Sequence, residues 1–95
     1  MKQQISLEFR KDLTKLAGNQ FGKSTFANQV ESKIDYSAEQ ICITIPERID
    51  RIASSFIQGF FEKIINEIGI RGIQEKVFVI SSINNINEYI IDNLR

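Results

Sequence analysis

Seven apolar residues between Phe56 and Ile68 carry the strongest pattern in the chain. Phe56, Ile57, Phe60, Phe61, Ile64, Ile65 and Ile68 recur at the spacing of one broad helical face, with Gln58, Glu62, Lys63, Asn66 and Glu67 opposite. Ser55 followed three residues later by Gln58 fits a capping box, in which each side chain satisfies an amide of the first helical turn. Gly69 stands where a residue of positive φ would end the helix, and 69–75 reads as the turn out of it, with room for a short extra helix.

The remaining pattern falls on either side of this helix. Ile5, Leu7 and Phe9 alternate with Ser6, Glu8 and Arg10, which predicts a half-buried strand. Gly18 to Gly22 reads as a break, and a modest helix is expected over about 24–34, with Phe26, Ala27, Val30 and Ile34 on one side. Ile41, Ile43 and Ile45 alternate with Cys42 and Thr44 in a second strand closed by Pro46. Residues 47–53 read as irregular. The unbroken run Val77-Phe78-Val79-Ile80 predicts a central strand covered on both faces. A last helix places Ile86, Tyr89, Ile90 and Leu94 on one face. Strand, helix, strand, helix, strand, helix predicts an α/β fold, a small mostly parallel or mixed sheet with amphipathic helices, in one domain over 1–95.

Composition narrows the chemistry. Eighteen isoleucines dominate the core, so β-propensity alone would misassign the helices they also line. Twelve basic and twelve acidic side chains leave no net charge, which argues against a nucleic-acid partner. Cys42 is the only cysteine, within an apolar run, and reads as a buried thiol. There is no histidine, hence neither the usual general base nor the usual zinc ligand. No apolar run approaches the length of a membrane span and the N-terminal stretch has no apolar signal core, so a cytoplasmic protein without membrane contact is expected.

Gly18-Asn19-Gln20-Phe21-Gly22-Lys23-Ser24-Thr25 looks like a phosphate-binding loop, with Gly22, Lys23, Ser24 and Thr25 as weak anion-binding candidates. Its spacing is one residue short of that loop, and no buried strand precedes it. The plainer reading is a glycine-shaped turn, with Ser24 or Thr25 capping the next helix. Ser54 and Ser55 have no histidine to complete a nucleophilic triad, and no other catalytic residue, metal site or cofactor is indicated.

At Ile52-Ala53-Ser54-Ser55-Phe56 the chain resembles the region around the regulatory serine of STAS domains, the anti-sigma-factor antagonist family. Ser-Ser-Phe followed by Gly59-Phe60-Phe61-Glu62-Lys63-Ile64, and the stretch Leu16 to Val30, look more closely like the STAS-like family of unknown function. The resemblance covers about residues 5 to 95. It implies a non-enzymatic regulatory module that binds a protein partner, with Ser54 at the position phosphorylated in antagonists by a histidine-kinase-like ATPase. The chain departs from those antagonists at Ala53 and Phe56, where they carry Asp and Gly. Two other readings stay open: a nucleotide- or anion-binding protein using Gly18 to Thr25, and a structural subunit whose apolar surface forms a homodimer.

Overall fold

A computed structural model describes all of residues 1–95. Three parallel strands, β1 (Lys2–Ser6), β3 (Gln40–Thr44) and β5 (Val77–Ile80), form a sheet in the order β1-β3-β5. A second, two-stranded parallel sheet joins β2 (Lys15–Leu16) to β4 (Arg51–Ile52). Helix α1 (Asn19–Gln29) follows β2, α2 (Ser54–Lys76) follows β4, and α3 (Ile86–Leu94) ends the chain. The α/β class and the parallel sheet are as the sequence predicts. No helix is long and apolar enough to cross a membrane.

Pleating divides the sheet into two unlike faces. Ile5, Ile43 and Val79 stand side by side across the three strands and are all buried. They meet Phe56, Ile57, Phe60, Phe61 and Ile64 of α2, so the predicted stripe packs inward. On the other face Gln4, Cys42 and Phe78 form one row and Ser6, Thr44 and Ile80 the next. Phe78 is 38% and Ile80 54% exposed. The run Val77 to Ile80 is therefore an edge strand with one open face, and the central strand is β3. Uniform apolarity in the sequence concealed an alternating environment. Cys42 is buried, as expected.

Helices α1 and α2 meet backbone to backbone. A Cβ on Gly22 would collide with Phe56 O and lie 2.7 Å from Phe60 N, and one on Gly59 would collide with Asn19 O and lie 2.9 Å from Asn19 C. Glycine at both positions is what lets the helices approach so closely. Phe26 stacks edge-on against Phe60 beside this contact. Gly22 is thus an interior helix residue, and the expected break at 18–22 reduces to Gly18, whose φ of 101° opens the helix. The helix runs over 19–29 instead of 24–34, with Val30 and Ile34 beyond its end and Ala27 exposed.

Gly69 interrupts α2 with φ 70° and ψ 173°, a conformation reserved for glycine. Helical backbone resumes beyond it as far as Lys76. The short extra helix is therefore present, set at an angle to the main one by this residue.

Candidate functional site

Strand β4 delivers the chain to α2 without a loop. Ala53 is still extended (φ −78°, ψ 152°), donates its N–H to Leu16 O at 2.8 Å and serves as the N-cap, and it offers no side-chain acceptor. Its carbonyl accepts from Phe56 and Ile57 N–H at 3.1 and 3.2 Å. Ser54 is therefore the first helical residue and Ser55 the second.

This one-residue displacement removes the expected capping box. Ser55 Oγ accepts the N–H of Gly18 at 3.0 Å, fastening the start of α1 to the start of α2. Gln58, on the outer face, donates its side-chain amide to Asn93 O at 3.4 Å, toward α3. A serine in the second helical position points away from the first-turn amides, so it cannot act as the cap a serine at the position of Ala53 would provide. Ser54 is exposed, and its hydroxyl makes no hydrogen bond within the protein. The two neighbours have separate roles: Ser55 ties the helices together and Ser54 is free.

The two helices run in the same direction with their N-termini adjacent. Gly18 meets Ser55, Lys23 pairs with Glu62 at 3.6 Å, and Glu31 pairs with Lys63 at 3.1 Å. Neither N-cap supplies a side-chain hydrogen bond, so first-turn amides of both helices face outward at one end of the molecule. That end carries positive helix-dipole potential. Lys15 and Arg51 are register partners on β2 and β4 and share the exposed face of that small sheet, with Leu16 and Ile52 buried beneath. Two cations directly opposite one another repel. Both lie close in sequence to the uncapped helix starts, with Asp50 flanking Arg51.

The phosphate-loop candidates are elsewhere and otherwise engaged. Gly22, Lys23, Ser24 and Thr25 lie within α1, so no loop turns its amides toward a ligand. Gly22 faces the backbone of α2, Lys23 is paired with Glu62, and Ser24 and Thr25 both donate to Phe21 O, at 3.1 and 2.8 Å. Neither hydroxyl caps a helix, because the helix has already begun at Asn19.

A hollow of about 310 Å³ lies between α2, β5 and α3, lined by Phe61, Ile73, Val77, Phe78, Ile90 and Ile91. Part of its polar rim is engaged within the fold: Asn87 binds the backbone of Val79, and Asp92 faces Arg95 at 3.7 Å. Perturbed acidities also lie away from Ser54. Hydrogen bonds from the Ser37 hydroxyl and amide hold Asp35 below the usual carboxylate range, and burial raises Tyr36. The chain has no histidine, the usual partner that activates a serine hydroxyl as a nucleophile. The sequence singles out Ser54 but gives no sign that Lys15 and Arg51 lie opposite one another, because strands of two residues leave no periodicity to read. Comparison of the chain with family models, with curated proteins and with solved structures returns no match.

Proposed function

We propose that this protein is a regulatory interaction module, similar to the STAS-like domains, that engages a protein partner through the end of the molecule bearing Ser54. Its state is set by phosphorylation of that serine by a partner kinase. The observation that carries this reading is the division between the two serines: Ser55 is bonded to Gly18, whereas Ser54 is exposed and unbonded at the first position of α2. A phosphate at Ser54 would meet outward amides, the positive end of the helix dipole and the cations of the small sheet. It would add about two negative charges to this surface without entering the core. Ala53 stands where antagonists carry Asp, and the nearest carboxylate in the sequence is Asp50, beside Arg51.

The test is phosphopeptide mapping of the protein isolated from its own cells, together with partner capture by two variants. Phosphate should map to Ser54 and not to Ser55. Ser54→Ala should retain the partner constitutively, and Ser54→Asp should release or exchange it. Equal capture of the same proteins by wild type, Ser54→Ala and Ser54→Asp would refute the reading.

A further inference from the structure

The rim of the main sheet is closed at one side by side chains and left open at the other. Along β5 the outward-facing residues are Val77 and Val79, since Ile80 O accepts from Ile45, just past β3. The Val77 N–H returns to Ile73 O. Val79 is met by the carboxamide of Asn87, which accepts its N–H at 2.8 Å and donates to its carbonyl at 3.0 Å. One amide side chain thus imitates the next strand. Past the end of β1, Gln29 does the same to Glu8, accepting its N–H at 2.7 Å and donating to its carbonyl at 2.8 Å. Unpaired strand edges invite pairing with other chains, and these two amides block it.

Along β1 itself the edge is bare. Leu7 donates to Thr44 O and Met1 O accepts from Glu39, so the odd-numbered residues of β1 face β3. Lys2, Gln4 and Ser6 direct their N–H and C=O groups away from the sheet, and no part of the chain bonds them. All three residues are exposed.

We propose that this edge pairs antiparallel with the same edge of a second copy, Gln4 opposite Gln4, joining the two sheets into one. Self-pairing is favoured because the bare stretch is symmetric about Gln4. Lys2 meets Ser6 of the other copy at both ends, and all outward groups of the three residues find partners. A shift one way sets Lys2 against Glu8, whose backbone Gln29 already holds. A double shift the other way opposes Lys2 to Lys2, which is repulsive. Lys2 and the Gln29 clasp therefore disfavour those two registers. The chain has no net charge to oppose association. Five-residue strands bury less than the roughly 1,200 Å² of a stable interface, so the dimer is weak. This surface is independent of Ser54.

Sedimentation equilibrium of the full chain from about 10 μM to about 1 mM, a range suited to a weak dimer, tests the proposal. The wild type should fit a reversible monomer–dimer equilibrium. Gln4→Pro removes an N–H that only the partner strand would use, which an edge strand tolerates. It should weaken the dimer by at least about tenfold while leaving the thermal unfolding midpoint within a few degrees of wild type. Should Gln4→Pro fail to fold, Gln4→Lys preserves the backbone and sets like charges opposite; it should weaken the dimer most at low salt. A wild type that remains monomeric throughout overturns the proposal and leaves the edge to a foreign extended peptide. Dimerisation unchanged in the folded variant overturns it equally, because the interface then lies elsewhere.

Discussion

The covered and open faces of the sheet are made from nearly the same residue types and do different work. On the covered face Ile5, Ile43 and Val79 lie against three helices in a single apolar cluster. On the open face Phe78 and Ile80 are apolar as well, yet both stay exposed. The difference does not come from the strands. It comes from the helices: α1 and α2 cross over between the parallel strands, α3 follows the last one, and buried residues of all three join the cluster on the covered face. Apolarity along a strand says that it can be buried, and the crossovers decide which half is.

This comparison can be broken at either face. The largest effect is expected at Phe60, which packs against Phe26, Phe56 and Phe61 within the helix layer. Phe60→Ala should cost about 3–5 kcal/mol in a urea titration. A loss below about 1 kcal/mol would mean that the inward face is wrongly identified. Next comes Gly59→Ala. A helix interior gains about 1 kcal/mol from this change, but the new Cβ would strike the backbone of Asn19, where overpacking costs about 3 kcal/mol or more. The net loss should be about 2 kcal/mol, and stabilisation instead would show that the helices do not touch there. The smallest effect belongs to the open face. Ile80→Thr keeps a β-branched shape at an exposed edge and should change stability by no more than about 0.5 kcal/mol. A loss above about 2 kcal/mol would show that something covers this face.

Much of this architecture was legible in the sequence, and the failures have physical causes. The stripe from Phe56 to Ile68 and the alternation around Ile43 were readable because one dominant neighbour imposes one period on each. The sequence places helix α1 too late, because Gly22 reads as a breaker and is an interior helix residue. A glycine buried in a helix crossing has the same letter as one in a turn, and only the partner, Gly59 thirty-seven residues on, distinguishes them. Strands β2 and β4 are too short for a period and exist through each other. The capping box failed by one position, since β4 runs straight into the helix and makes Ala53 the cap residue. The Ser-Ser pair is visible in the sequence, but the different surroundings of its two members depend on Gly18, which is near Ser55 only in the fold.

The division between the two serines is the central claim, and a paired urea titration of Ser54→Asp and Ser55→Ala tests it most directly. Ser54→Asp places a carboxylate at the first helical position without disturbing a bond, so it should match wild type or gain up to about 1 kcal/mol from the helix dipole. Ser55→Ala leaves the Gly18 N–H without its acceptor and should lose about 1 kcal/mol or more. The reverse ordering, with Ser54→Asp destabilised by more than about 1 kcal/mol and Ser55→Ala unaffected, would show that Ser54 is the structural residue and contradict the account.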